Sequence, residues 1–340
     1  MNNRAAIRAI SSYLPAGALT NEHLAQEFGD WDAQKIAEKT GIVVRRIAGP
    51  DECASDLGVA AARQLFDSGA CAPEQIDFLL LCTQSPDYFL PATACTLQSR
   101  LGLRTDCGTL DFNQGCSGFV YGLALAKSLV ETQAATHVLL ITAETYSKFI
   151  HPRDRSVRTI FGDGAAATLV SPVEAERTLI GPFVFGTDGS GAHELIVPAG
   201  GCRRPSTPAT AVAQAVEGGN WRSEQNLYMN GPEIFNFTLR VVPSTVRQLL
   251  GKAGLQLEEA DYFVFHQANK FMLDYLRRKL AIAADKFCIY LESCGNTVSS
   301  TIPIALEHAR NAGTIQPGNK VMLVGFGVGL SWAATLIEIV

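Results

Sequence analysis

Two stretches of this chain carry the same pattern, and that duplication limits its fold more than any other feature. Ile76-Asp-Phe-Leu-Leu-Leu-Cys82 and Ala260-Asp-Tyr-Phe-Val-Phe-His266 are short apolar runs that end on a reactive side chain. Asp106-Cys-Gly-Thr-Leu-Asp-Phe-Asn-Gln-Gly-Cys116 and Lys286-Phe-Cys-Ile-Tyr-Leu-Glu-Ser-Cys-Gly-Asn296 follow them with the same ten-residue step. The register sets Cys82 against His266 and Cys116 against Asn296. Each half continues into a helical pattern, at 119–131 and 302–312, and then into a strongly apolar strand, at 137–142 and 320–325. Strands that alternate with helices specify a mainly parallel sheet covered on both faces. The sequence therefore predicts a duplicated α/β chain with halves at 1–175 and 176–340. Its reactive residues fall at equivalent strand ends, where open α/β sheets place their ligands.

A chain of 340 residues is long enough for two such halves with well-buried cores. Its 47% hydrophobic and 18% charged content is that of a globular protein. Uninterrupted apolar stretches such as 138–141 are strand-sized, far short of the ~18 residues needed to cross a bilayer. Arg4, Ile7, Arg8 and Ile10 alternate near the start, unlike the apolar centre of a secretory signal, so a cytoplasmic protein is expected. The nine cysteines are odd in number and lack Cys-x-x-Cys spacing, so they read as reduced thiols without a metal site. A net charge of −5 argues against nucleic-acid binding, although a local basic patch can still receive an acidic partner.

Cys116 sits in Gly115-Cys-Ser-Gly118, where an apolar strand turns into a helix. Amides and the dipole at a helix start favour the thiolate over a thiol of ordinary pKa near ~8.5. Gly115 and Gly118 leave the sulfur open to a substrate. A cysteine taken alone is most often simply buried, a histidine after a strand is usually structural, and Gly-Asn is usually a turn. Cys116, His266 and Asn296 at three strand ends of one chain favour a reactive centre over three separate coincidences. Gly162-Asp-Gly164 precedes an apolar strand and does not open a helix as a phosphate loop would. Gly325-Phe-Gly-Val-Gly329 leaves too little chain for the ribose-binding acid expected ~20 positions on. No serine lies in a Gly-x-Ser-x-Gly frame, so a serine hydrolase is unsupported. The Gly-, Pro- and Thr-rich stretch 198–221 is expected to be a loop, either over the site or along the surface.

With these residues in place, the chain resembles the β-ketoacyl-acyl-carrier-protein synthase III family of thiolase-fold condensing enzymes along nearly its whole length. The matching segments are Lys39-Thr-Gly-Ile42, Pro91-Ala-Thr-Ala-Cys95, Gly115-Cys-Ser-Gly-Phe119, Asp154-Arg155, Phe161-Gly-Asp-Gly164, Gly231-Pro-Glu-Ile-Phe235, His266-Gln-Ala-Asn269, Gly295-Asn-Thr297 and Gly325-Phe-Gly327. Their order and spacing together are specific. The resemblance implies a thiolase-like five-layered sandwich of duplicated αβαβα halves and a Cys116-His266-Asn296 triad. Cys116 would take an acyl group from coenzyme A, and malonyl-acyl-carrier protein or malonyl-coenzyme A would then decarboxylate and attack the thioester. His266 and Asn296 would hold the developing enolate oxygen, and the backbone amides of Cys116 and Val328 would form the other oxyanion hole. The family usually has glycine where Val328 stands.

By the same resemblance, Lys39, Arg155, Gly231, Phe235 and Asn269 would contact coenzyme A and pantetheine, with Lys39 in place of a customary arginine. The tryptophan usual four residues earlier is Lys35 here, and Trp31 lies four earlier still. Arg278 and Lys279 match a basic pair for carrier-protein docking, with solvated surface charge as the equal alternative and Phe271 in place of a usual arginine. Gln84, Leu90 (reaching across a dimer), Tyr146 and Leu330 would line the acyl pocket. Gln84 and Tyr146 would be costly to bury unpaired beside an alkyl chain, so a partly polar acyl donor is expected. Arg153 and Arg158 could serve a carboxylated acyl group, surface charge being their commoner role. The implied protein is a homodimer with no cofactor beyond its coenzyme A thioester substrate, and with neither nucleic acid nor membrane as a partner. The rival functions are acyl transfer to an alcohol or amine, which has no enolate for Asn296 to hold, and a non-catalytic subunit that binds a partner synthase.

Overall fold

The computed structural model describes residues 2–340, whose longer strands form two sheets. The first contains β1 (Asn2–Tyr13), β2 (Phe78–Cys82), β3 (Gly108–Phe112), β4 (Val138–Glu144) and β5 (Gly164–Ala175), in the order β1-β5-β4-β2-β3. The second contains β6 (Ile180–Thr187), β7 (Tyr262–Phe265), β8 (Lys320–Gly327) and β9 (Ser331–Glu338), in the order β6-β9-β8-β7. In each sheet the first three strands pair antiparallel and the next pairing is parallel. The internal echo in the sequence is thus an echo in topology.

The strand expected within 286–296 is the exception. It is reduced to a single parallel bridge between Phe263 and Phe287, with the Cys288 amide donating to the Phe263 carbonyl at 2.9 Å. The buried Gln267 side chain takes over the next contacts. Its Nε2 donates to the carbonyls of Phe265 (2.6 Å) and Cys288 (3.3 Å), and its Oε1 accepts from the Tyr290 amide (2.7 Å). Backbone groups that a ladder would have paired are satisfied by one amide side chain.

Four helices cover the sheets: α1 (Ala54–Asp67), α2 (Gly118–Glu131), α3 (Gly231–Ala253) and α4 (Thr301–Asn311). The period of two along each strand decides which helix a side chain meets. In β2, Leu79 and Leu81 pack with Leu57, Ala61 and Leu65 of α1, while Leu80 faces Phe119 and Leu123 of α2. In β8, Val321 and Leu323 share that central layer with Ile302 and Leu306 of α4, while Met322 and Val324 turn to Phe237 and Val242 of α3. The order is helix, sheet, helix, sheet, helix, five layers in which strands are apolar on both faces because both are covered. Among the described residues no helix is long and apolar enough to cross a membrane. The stretch 198–221 includes the strand Gln214–Val216, which pairs with Asn220–Arg222.

Candidate active site

Cys116 lies in the tight turn between β3 and α2, where the Gly118 amide donates to the Gly115 carbonyl at 2.8 Å. The end of β8 passes directly beside it. A Cβ on Gly327 would lie 2.6 Å from Cys116 Sγ, and one on Gly325 2.7 Å from the Cys116 carbonyl oxygen, so only glycine permits this approach. That explains the Gly325-Phe-Gly327 run without a nucleotide. The thiol is 4% exposed, and this burial works against the thiolate that the helix start favours. Burial pushes it up to about 12, while the amides of Val328 and of Cys116 itself pull the other way. Desolvation of a full charge outweighs the helix start. Val328 is not among the non-glycine residues with positive φ, so valine presents its amide there without backbone strain.

His266 follows β7, and its amide donates to the Val324 carbonyl at 2.8 Å. The ring meets Phe326 edge-on at 5.6 Å between centroids, and Nδ1 lies 2.7 Å from Thr301 Oγ1. Burial lowers its pKa to about 3, which keeps the imidazole neutral at ordinary pH. The one strand end Phe326-Gly327-Val328 therefore touches both the histidine ring and the cysteine.

Asn296 does not end a strand, contrary to expectation. It bridges Phe161 of the first half, donating its amide to the Ile160 carbonyl at 2.9 Å and accepting from the Gly162 amide at 3.0 Å. Gly295 makes this possible with φ 77°, a conformation in which a Cβ would press on Arg45 and the Ile160 carbonyl. Asn296 Oδ1 accepts from the Val298 amide at 2.9 Å, and its Nδ2 donates to the Ala268 carbonyl, two residues beyond His266, at 3.5 Å. The same turn carries Thr301 to His266.

A residue absent from the sequence reading lies among these groups. Glu144, fully buried at the end of β4, accepts from the Gln84 amide, from Ser85 Oγ at 3.1 Å and from Ser299 Oγ at 2.8 Å. Burial without a cation pushes its carboxyl up to about 8, and its negative charge raises the Cys116 thiol in turn. The available signal was a lone acid closing an apolar strand, at the same kind of strand end that carries Cys82.

Next to this centre lies a cavity of about 850 Å³ lined by Gln84, Tyr146, Phe149, Leu195, Leu227 and Val328, among others. Tyr146 donates its hydroxyl to Gln84 Oε1 at 2.5 Å, and Gln84 Nε2 donates to Asn113 Oδ1 at 3.0 Å. The two polar residues thus satisfy each other, so their burial no longer demands a polar acyl group. Leu330 is buried against Gly191, whereas Leu90 is 83% exposed. Ala199 to Gly201, from the glycine-rich stretch, also face the cavity.

On the far side, Arg155 stacks over Phe28 (4.9 Å) and Trp31 (5.7 Å) and pairs with Asp30 at 2.9 Å. Trp31 therefore reaches the arginine although it is displaced in sequence, because Asp32 caps the short helix Ala33–Thr40 between it and Lys39. Lys35 and Lys39 are exposed on that helix. Asn269 caps the helix Lys270–Lys279 by accepting from the Met272 amide at 2.8 Å, and Gly231 opens α3 with free space around it. Phe235 packs with Phe271 and Tyr275, both at 5.6 Å. Arg278 Nε donates to the Asp274 carbonyl, and Lys279 lies 5.9 Å from the Tyr275 ring. Arg153 stacks on Trp221 at 4.1 Å and Arg158 pairs with Glu27, so both already have partners.

Two packed αβαβα halves, with Cys116 and His266 following strands and Asn296 in a turn of the second half, define the thiolase-like class of condensing enzymes. The family model for 3-oxoacyl-[acyl-carrier-protein (ACP)] synthase III matches residues 110–189, and that for its C-terminal part matches 250–339. The β-ketoacyl-[acyl-carrier-protein] synthase III of Caldanaerobacter subterraneus subsp. tengcongensis is 38% identical over 98% of this chain and 97% of the relative. A crystal structure of a 3-oxoacyl-(acyl-carrier-protein) synthase III is 56% identical, with TM-score 0.98 over 99% of this chain and all of that one. The priming β-ketosynthase of the R1128 polyketide pathway is 30% identical, with TM-score 0.86 over 99% of this chain and 97% of that one. The chain belongs to the 3-oxoacyl-[acyl-carrier-protein] synthase III family, and so to the condensing acyltransferases.

Proposed function

We propose that this enzyme condenses an acyl-coenzyme A with malonyl-acyl-carrier protein through an acyl-thioester on Cys116. The observation that carries this reading is the end of β8, which sets Gly327 on the cysteine sulfur and Phe326 on the His266 ring while the Asn296 turn reaches the same histidine through Thr301. Cys116 Sγ attacks the thioester carbon, the amides of Cys116 and Val328 hold the oxygen, and coenzyme A leaves with the thiol proton. The malonyl group then loses carbon dioxide, and its bonding pair becomes an enolate held by His266 and Asn296. The enolate carbon attacks the acyl-thioester, and Cys116 leaves and is reprotonated.

Arg155, Trp31 and Lys39 form the platform for the adenine end, with Gly231, Phe235 and Asn269 along the pantetheine path. Arg278 and Lys279 face the carrier protein. Malonyl-coenzyme A is the alternative extender. The halves at 1–175 and 176–340 each supply part of one site, and the cytoplasm, where coenzyme A thioesters occur, is the place of action. A homodimer is supported by the exposed run Tyr88-Phe89-Leu90, whose Leu90 would enter the partner's acyl cavity.

Intact-protein mass spectrometry with a panel of acyl-coenzyme A thioesters tests the reading. One acyl adduct should form, map to Cys116 and disappear in Cys116→Ala. Asn296→Ala should still acylate but lose malonyl decarboxylation by roughly 10²–10³-fold. An adduct that persists in Cys116→Ala overturns the nucleophile, and unchanged condensation in Asn296→Ala favours simple acyl transfer.

A further inference from the structure

Thr301 opens α4 just beyond the turn that carries Asn296, and it is buried. Its hydroxyl oxygen lies 2.7 Å from His266 Nδ1 and 3.0 Å from the Val298 carbonyl oxygen. A hydroxyl has one hydrogen to give, and a neutral imidazole has one N–H and one bare nitrogen. The hydroxyl hydrogen can therefore serve only one of these two acceptors, and its choice fixes where the imidazole carries its proton. The Val298 carbonyl already accepts from the Thr301 backbone amide, so it does not need the hydroxyl. Among the described residues Thr301 is the one hydrogen-bonding side chain at Nδ1, at 2.7 Å, and the Val298 backbone, which also hydrogen-bonds the ring, is the competing partner.

We propose that Thr301 is a positioning residue that donates its hydroxyl to His266 Nδ1 and so holds the ring as the Nε2–H tautomer, with a hydrogen-bond donor on the nitrogen left for substrate. This rests on the reading that His266 donates to the enolate oxygen. A ring with its hydrogen on Nδ1 would present a lone pair to that oxygen and repel it. The edge of Phe326 and the anchored His266 backbone hold the ring plane, but neither distinguishes the two nitrogens. Thr301 does. The low pKa of the buried ring agrees with a neutral imidazole, the only charge state in which the tautomer matters. Without the hydroxyl, the Val298 carbonyl is left as the ring's backbone partner and draws the hydrogen to Nδ1.

The test combines nitrogen-15 NMR of the histidine ring with separate assays of the two half-reactions in the full-length enzyme. Wild-type His266 should show Nε2 protonated and Nδ1 bare. Thr301→Val, nearly the same shape, should move the hydrogen to Nδ1, keep Cys116 acylation and lower malonyl decarboxylation by about 10²-fold. Thr301→Ser should restore both the tautomer and the rate. A wild-type ring protonated at Nδ1, undiminished decarboxylation in Thr301→Val or failure of serine to rescue overturns the proposal. His266→Ala separates it from the reading beneath it. If that variant decarboxylates normally, the role of His266 itself falls; if it is inactive while Thr301→Val is not, only the inference about Thr301 falls.

Discussion

Desolvation and the neighbouring Glu144 raise the Cys116 thiol, and the amides of Val328 and Cys116 offset only part of that rise. Alkylation by iodoacetamide should therefore accelerate with rising pH and show no plateau below pH 9, since the thiol is pushed up to about 12. A plateau near neutral pH would instead indicate a preformed thiolate. Glu144 and His266 tie stability to pH in opposite directions. The carboxyl pKa is raised from 4.5 to about 8, so the folded state holds a proton that the unfolded chain has lost, and stability falls as pH rises across that window. The imidazole is lowered from 6.5 to about 3, so its contribution is complete above pH 6.5 and is lost as pH falls toward 3. Glu144→Gln should gain stability over the wild type as pH rises from 4.5 to 8, by up to about 1.4 kcal/mol per pH unit, measured by urea denaturation. A constant difference across the window would mean that the carboxyl is ionised throughout. Cys116, His266 and Asn296 were legible as candidates because chemistry restricts which residues can serve. Glu144 and Thr301 were not, because their meaning lies in partners far away in sequence, Ser299 and His266.

The segment after Phe287 has the composition of a strand but lacks its ladder, because Gln267 occupies the backbone groups on both sides. Gln267→Ala would leave the Tyr290 amide and two carbonyls without this partner, at roughly 1–3 kcal/mol for each buried group left unpaired. A fall in the thermal midpoint is expected, with acylation of Cys116 preserved below it. An unchanged midpoint would show that other groups hold this segment. The turn 296–301 is the other element that local sequence does not reveal. Val298 adopts φ 55°, costly for a β-branched residue, and is held there by bonds to the opposite half: Ser299 to Glu144, and Ser300 to Thr142 (3.0 Å) and the Gly164 carbonyl (3.2 Å). The bounds of α2, α4 and β8 were read to within a residue or two, because their periodicity reflects burial on known faces.

At the scale of the whole molecule, β3 is an edge strand with Leu110 43% exposed, and Tyr88, Phe89 and Leu90 are 63%, 84% and 83% exposed. Such an edge beside an apolar loop is a template for pairing with another copy. The wild type should sediment as a dimer, and Leu90→Asp combined with Leu110→Lys should shift it to monomer and alter the preference for acyl chain length. A monomeric wild type would remove Leu90 from the acyl cavity. The duplicated α/β plan and the choice of Cys116, His266 and Asn296 as candidates followed from sequence alone, because strand and helix periods and the scarcity of good nucleophiles are properties of short stretches of chain. The protonation state of Cys116, the mutual pairing of Gln84 with Tyr146 and the approach of Trp31 to Arg155 were decided only by tertiary structure. Each depends on which groups become neighbours, and on how much water is excluded, when two distant halves close on each other.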